Sequence, residues 1–173
     1  YNAVKGQAGT EIRQSQNTNV NIIQLNPKRI EDLALRRAIL ASVDREQIAK
    51  AYFSQLGWTE PLPGSIIAMP FQKGYKNNYE GESGAQAAAK ILEAAGYSKS
   101  GDYYAKDGKV AGFALTSFGS EAVYQAVYQI LEQQLKSAGI RLSADNQPQS
   151  NSNSVLGQKS YEAIFTGWGV LPD

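Results

Sequence analysis

A short run near the end of the chain holds the side chain best suited to contact a ligand. Trp168 stands between Gly167 and Gly169, at the end of an apolar and aromatic stretch. Because glycine has no side chain, it leaves the faces of a neighbouring indole ring open to a partner. We therefore take Trp168 and Gly167 as candidate ligand contacts. The alternative is that Trp168 packs against the end of its own strand.

Ser117 is a second candidate, because residues 116–120 follow an apolar run and precede a helical pattern. Ligands of α/β proteins commonly meet the carboxyl end of a strand, and the start of a helix offers free N–H donors. The alternative role of this segment is ordinary capping of the helix by Ser120.

The composition excludes much of the chemistry that other sites use. The chain has 173 residues and contains neither His nor Cys. This excludes His-dependent triads, thiol nucleophiles and thiolate metal sites, so we expect no metal and no cofactor. Lys plus Arg number 17 and Asp plus Glu 16, which gives no basic excess for a nucleic acid. No apolar run approaches the roughly 18 residues of a transmembrane helix.

The first half of the sequence predicts one strand and three helices. Alternation predicts a strand over 19–25, which Asn26-Pro27 ends because proline cannot donate to a ladder. Helical spacing follows from Ile30, with Glu31 and Asp32 expected in the first turn. A second helix begins at a capping box of Asp44 and Gln47, and residues 58–71 predict an ordered, extended loop. Residues 84–95 predict the third helix.

The second half predicts a strand–helix–strand unit and a final strand. Residues 103–110 predict a hairpin that turns at Asp107-Gly108. A strand over 110–116, a long helix over 120–138 and a strand over 140–144 then form a parallel pair with a right-handed crossover. The helices over 84–95 and 120–138 both end in Gly followed by an apolar residue, which is typical of a Schellman stop. Residues 146–154 predict a polar loop, and residues 161–168 a last strand. The class is α/β, with a mixed, mostly parallel central sheet flanked by helices.

Four segments, taken in order, resemble the bacterial family 5 extracytoplasmic solute-binding proteins, which are peptide- and nickel-type receptors of ABC importers. They are LNP at 25–27 with LRRAI at 35–39 and VDREQI at 43–48, AAAKILEAAGY at 87–97, KDGK at 106–109, and YEA at 161–163 with GWG at 167–169. Each motif alone is weak, but the four in this order cover most of residues 19–173.

The resemblance implies a two-lobed, clam-shell receptor about three times as long as this chain. Residues 1–173 are then a single periplasmic-binding-protein-like lobe, the C-terminal-type lobe, inserted between two crossings to the first lobe. Residues 1–18 are a lead-in segment, and residues 168–173 begin the return hinge. The implied location is extracytoplasmic, in the periplasm or on a cell-surface lipoprotein. The implied partners are a peptide or small-molecule ligand, the first lobe and the permease subunits.

The resemblance also implies roles for particular residues. A Trp at the place of Trp168 often lines the pocket in this family, and Asn26 lies near the first hinge, where it either binds ligand or only forms the turn before Pro27. Peptide-binding members have an Asp three residues after the Trp, which anchors the ligand's ammonium group. Here that position is Leu171. Asp173 is a candidate for this role through a one-residue shift; alternatively it matches the Asp of a following Asp-Pro motif.

We therefore expect a binding module without catalysis, which captures an oligopeptide or similar small solute for import. An independent α/β enzyme domain is the alternative, although the chain has no His or Cys to serve it. An accessory interaction domain that uses the receptor fold is a third interpretation.

Overall fold

The computed structural model describes residues 3–13, 18–53, 56, 59–79, 81–119 and 122–169, and of residues 122 and 123 only the backbone. The strands and helices in these ranges are, in chain order, β1 (Asn19–Leu25), α1 (Leu33–Ser42), α2 (Arg45–Tyr52), α3 (Ala85–Ala94), β2 (Ser98–Ser100), β3 (Tyr103–Lys106), β4 (Lys109–Val110), β5 (Gly112–Phe118), α4 (Ala122–Ser137), β6 (Arg141–Gln147), α5 (Ser152–Gln158) and β7 (Ala163–Gly169).

The main sheet has four strands in the order β1, β7, β5, β6. β5 pairs in parallel with β6 on one side and with β7 on the other, whereas β1 pairs antiparallel with β7 along its whole length. The prediction of a mixed, mostly parallel sheet is confirmed. The predicted strand–helix–strand unit is also confirmed, as β5, α4 and β6.

The hydrophobic core lies between one face of this sheet and the helices. Phe113, Leu115, Leu142 and Ala163 alternate inward from the three parallel strands and are all buried. They meet apolar side chains of α1, α3 and α4, including Ile39, Leu92, Leu131 and Leu135. Burial on this scale supplies the main free energy of folding, at roughly 25 cal/mol per Å² of apolar surface.

Local signals of the sequence fix the helix ends and the hairpin. Beyond α3 and α4, Gly96 and Gly139 adopt left-handed φ angles of 86° and 72°. The N–H of Tyr97 donates to the carbonyl of Leu92 at 3.0 Å, and that of Ile140 to the carbonyl of Leu135 at 2.8 Å. These are the bonds of a Schellman motif, so both predicted stops are confirmed.

The hairpin turn forms as predicted, and the hairpin docks on the second of these helix ends. Asp107 and Gly108 have φ angles of 51° and 74° and join β3 to β4. The N–H of Tyr104 in β3 donates to the carbonyl of Gly139 at 2.8 Å. A Cβ on Gly139 would lie 2.7 Å from a ring carbon of Tyr104, so this glycine is required by packing as well as by its φ angle.

Two sequence predictions are wrong in detail. Glu31 and Asp32 are not in the first turn of α1, because both precede the helix, and Asp32 is its N-cap. Residues 146–154 are not a loop, because β6 follows its neighbour β5 in register to Gln147, and a 3-10 turn (Gln149–Asn151) and α5 come next. Pairing with β5 overrides the low strand propensity of the polar residues here. The predicted cap Ser120 lies outside the described residues.

Asp32 connects three separate elements. One carboxylate oxygen accepts the N–H groups of Ala34 at 2.7 Å and Leu35 at 3.2 Å, at the start of α1. The other accepts the hydroxyl of Tyr97 at 3.0 Å and lies 3.7 Å from the Lys106 ammonium of the hairpin. Asp32 therefore holds the end of α3 and the hairpin against α1.

These contacts shift the pKa values of Asp32 and Tyr97. Burial would raise the pKa of Asp32, but hydrogen bonds from Tyr97, Leu35 and Ala34, with Lys106 nearby, lower it below its ordinary 3.8. Burial, together with the hydrogen bond to Asp32, raises the pKa of Tyr97 to about 12. Asp32 therefore stabilises the fold fully above pH 3.8, and this contribution is lost as pH falls through the lowered value.

We expect Asp32→Ala to lower the free energy of unfolding by about 2 kcal/mol at pH 7, because it removes a helix cap and the partner of a half-buried hydroxyl. The matched control is Asp44→Ala, which removes a cap with a single side-chain bond, to the N–H of Gln47 at 3.1 Å, and should cost about 1 kcal/mol. Urea unfolding measures both. A cost for Asp32→Ala that persists unchanged at pH 3 would contradict this account.

Candidate ligand-binding site

The main sheet opens at the carboxyl ends of its two central strands. β5 and β7 are paired only at Leu115 with Ala163 and at Thr116 with Ile164. Beyond these positions β5 stays in register with β6, and β7 stays in register with β1. The sheet therefore divides into two ribbons with a crevice between them.

This crevice lies where the chain changes direction across the sheet. The connection that leaves β5 runs through α4 to β6 on one side, whereas the strand on the other side, β7, is reached later through α5. Ligands of open α/β sheets commonly bind outside the carboxyl ends of the strands, which is where β5 and β7 separate.

Three of the residues that the sequence predicted lie at this crevice. Ser117 is on the β5 side and Gly167 and Trp168 are on the β7 side, each past the last paired position. Trp168 is 50% exposed and stands opposite Val20 of β1. Its indole is therefore accessible rather than packed into the strand end. The hydroxyl of Ser117 donates to the Asn146 amide oxygen of β6 at 2.8 Å.

Gly167 has no structural reason to lack a side chain. It is in extended conformation, and a Cβ built there would meet only the Asn21 amide oxygen, at 3.8 Å. Glycine weakens a strand and often marks a close approach of another group to the backbone. The space above Gly167 is therefore open, and its role in ligand binding stays a prediction.

The base of the crevice is firmly packed. The ring of Phe165 lies edge-on to Tyr124 of α4 at 5.5 Å and to Tyr52 of α2 at 6.2 Å between centroids. On the β5 side Thr116 is fully buried, and its hydroxyl donates to the Asp145 carboxylate at 2.8 Å. Phe165 and Thr116 thus hold β7 and β5 in place close to the point where the two strands separate.

Asn26 lies away from this crevice, beyond the other end of β1, so its predicted contact with ligand near the first hinge stays a prediction. β1 runs antiparallel to β7, so Asn26 follows the end of β1 that pairs with the start of β7. Trp168 pairs with Val20 near the other end, six residues from Asn26, which is roughly 20 Å along the strand. Its amide donates to the carbonyls of Lys159 and Tyr161, both at 2.9 Å, and accepts from the N–H of Lys28. The structure supports the turn-forming role.

We expect Asn26→Ala to lower the free energy of unfolding by about 2–3 kcal/mol, because Asn26 is buried and the substitution leaves backbone groups without partners. Ligand affinity at a temperature well below the unfolding transition should stay within about twofold. Thermal unfolding and a titration with the ligand measure the two quantities. A large loss of ligand affinity without a loss of stability would show that Asn26 contacts the ligand.

The remaining predicted contact is Asp173. Asp173 and Leu171 lie outside the described residues, so the role of Asp173 stays a prediction. Within the described part of the chain, no cluster of carboxylates suited to a metal ion occurs. The same part contains no helix both long and apolar enough to span a bilayer.

A cavity beside β1 was not predicted from the sequence. It has a volume of about 1300 Å³ and lies among the start of β1, α2 and residues 59–79, with mainly apolar walls. Residues 59–79 are fixed across it, because the Arg45 guanidinium donates to the carbonyl of Pro63 at 2.8 Å and stacks 3.7 Å from the Tyr79 ring centroid.

The sheet order and the flanking helices define one α/β lobe of the periplasmic-binding-protein type. The sequence profile of the bacterial extracellular solute-binding proteins, family 5 Middle, matches residues 1–173. The chain belongs to this family.

Solved structures of similar fold extend the comparison. NikA from Brucella suis, in complex with Fe(III)-EDTA, is 23% identical, with a TM-score of 0.73 over 90% of this chain and 32% of NikA. NikZ from Campylobacter jejuni, in complex with Ni(L-His), is 21% identical, with a TM-score of 0.74 over 99% of this chain and 34% of NikZ. The oligopeptide-binding protein AppA from Bacillus subtilis, in complex with a nonapeptide, is 22% identical, with a TM-score of 0.65 over 91% of this chain and 34% of AppA.

The chain thus spans about a third of the length of these proteins. No curated protein sequence matches it significantly. At these identities the structures establish the fold, and they do not establish the ligand.

Proposed function

We propose that this chain is one lobe of the substrate-binding component of an ABC importer, and that it captures an oligopeptide or a similar small solute. The observation that carries the proposal is the crevice between β5 and β7, where their pairing ends, with the exposed Trp168 on its rim. An exposed indole ring provides a flat apolar surface on which a ligand can stack.

The start of β1 and the end of β7 lie side by side, which supports a hinged arrangement. Asn19 at the start of β1 pairs with Gly169 at the end of β7, so the entering and leaving strands are neighbours. Two adjacent strands that cross to a second lobe form a hinge about which the lobes can rotate and close. Ligand stabilises the closed form only if it makes more favourable contacts there than in the open form. Trp168 lies one residue from this pair and would therefore face the second lobe on closure.

The proposal includes the partners and the location that the family implies. The closed receptor delivers its ligand to the permease subunits, on the extracytoplasmic side of the membrane in the periplasm or as a lipoprotein. We propose no catalytic step, because the chain lacks His and Cys and because none of the described residues at the crevice pairs a nucleophile with a base. The ligand-binding set is Trp168, Gly167 and Ser117, together with Asp173.

The experiment that tests this proposal is native mass spectrometry of the full-length gene product, followed by identification of any small molecule released on denaturation. A retained peptide or other small solute that rebinds reversibly would support import. Conversion of a substrate by the purified protein would contradict the proposal and favour the enzyme interpretation.

Substituting the exposed indole tests the position of the site. We expect Trp168→Ala to weaken binding of the recovered ligand at least about tenfold, whereas Trp168→Phe keeps most of the affinity because it keeps an aromatic face. The matched control is Phe71→Ala, because Phe71 is 42% exposed and lines the cavity beside β1 instead of the crevice. Isothermal titration measures each affinity. If Phe71→Ala abolishes binding and Trp168→Ala does not, the ligand binds in the cavity beside β1 and the position of the site is wrong.

Separating the lobe tests the need for a second one. Residues 1–173 on their own should bind the recovered ligand at millimolar affinity or worse, because they supply only part of the enclosing surface. Tight binding by this chain alone would contradict the two-lobed mechanism but not the position of the crevice.

A further inference from the structure

β6 presents an open edge of the main sheet. Among the described strands its only partner is β5. The N–H of Arg141 donates to the carbonyl of Ala111, and the carbonyl of Gln147 accepts the N–H of Gly119. In a parallel ladder both polar backbone groups of one residue point to the same side, and successive residues alternate. The backbone groups of Leu142, Ala144 and Asn146 therefore point outward.

Two opposite charges stand on this edge, four residues apart and on one face of the strand. Arg141 is exposed, and it forms no ion pair with any other described residue. The carboxylate of Asp145 is held in place by the hydroxyl of Thr116 at 2.8 Å and the amide of Gln147 at 2.6 Å. Each of its oxygens has a further lone pair with which to accept another donor.

We propose that two copies of the protein pair through β6, antiparallel, about a two-fold axis at Ser143. In this register the outward groups of Leu142 exchange hydrogen bonds with those of Ala144 in the second copy. Arg141 then lies directly opposite Asp145 of the second copy, at a non-hydrogen-bonded pair, where the Cα atoms are only about 4.5 Å apart. The two-fold axis forms this ion pair twice.

The charges select this register over its neighbours. With the axis at Ala144, Arg141 would face Gln147, and Asp145 would face Ser143. With the axis at Arg141 or Asp145, like charges would meet directly, which is unfavourable. Only the Ser143 axis pairs both charges with their opposites.

Self-complementarity identifies the occupant as a second copy of this chain. Natural edge strands are commonly protected by charges that repel another strand, but an Arg and an Asp in this arrangement attract an identical strand. β6 is also the edge farthest from β1, so the hinge proposed above leaves it accessible. One strand pair buries little surface, so we expect a weak, reversible dimer. The inference does not depend on which ligand the crevice binds.

Sedimentation velocity of the full-length gene product over a concentration series tests the dimer. We expect concentration-dependent dimerisation, which Arg141→Glu weakens at least about tenfold because two attractive pairs become repulsive. The matched control is Arg37→Glu, which makes the same change of charge at an exposed position on α1 and should leave dimerisation unchanged. A protein that is monomeric at every concentration would overturn the proposal.

Charge exchange tests the register. Asp145→Lys should also weaken self-association, but a mixture of the Arg141→Glu and Asp145→Lys proteins should form heterodimers, because each variant then offers the charge that the other lacks. Ala144→Pro provides a second test, since it removes an outward N–H without removing a bond to β5. Dimerisation that survives both Arg141→Glu and Ala144→Pro would show that another surface is used.

Discussion

The pairing of β5 with two parallel neighbours is the constraint on which the rest of this structure depends. β5 is the only strand of the described main sheet with a parallel partner on each side, and Phe113, Leu115 and Thr116 along it are buried. Its pairing with β6 continues for seven residues, but its pairing with β7 ends after two. Complete pairing on both sides would close the sheet end. The early loss of one ladder creates the crevice.

The polar contacts around this strand fix its neighbours in place. The Glu162 carboxylate, just before β7, accepts the N–H of Ala114 at 2.6 Å. Asn26 binds the backbone just before Glu162, at the carbonyls of Lys159 and Tyr161. β7 is thus anchored at its start, whereas its end carries Gly167 and Trp168 into solvent. Buried polar groups that are fully satisfied provide this kind of positional specificity.

The two edges of the main sheet have different consequences. The β1 edge carries the entering strand beside the leaving strand, and it is the side on which a second lobe would be connected. The β6 edge lies two strands away from β7 and has outward backbone groups flanked by Arg141 and Asp145. The proposed hinge and the proposed self-pairing edge are compatible, because they lie on opposite sides of the sheet.

The sequence by itself determined the features that depend on neighbouring residues. The strand over 19–25, the Asp107-Gly108 turn and the two Schellman stops follow from residue type and spacing, because their energies are set within one turn of helix or one hairpin. The same reasoning identified Trp168, Gly167 and Ser117 as candidates, since glycines beside an indole and a strand–helix junction are local patterns.

Only the tertiary structure decided which of these candidates meet. The antiparallel direction of β1 separates Asn26 from Trp168, and no local pattern encodes the direction in which a distant strand pairs. The extension of β6 to Gln147 needed β5 as its template, and α5 formed in a segment whose composition indicated a loop. The Arg45–Tyr79 stack and the links from Asp32 to Tyr97 and Lys106 join residues more than thirty positions apart. Such contacts form only once the chain is folded, because the entropy of closing long loops must be offset by many contacts at once.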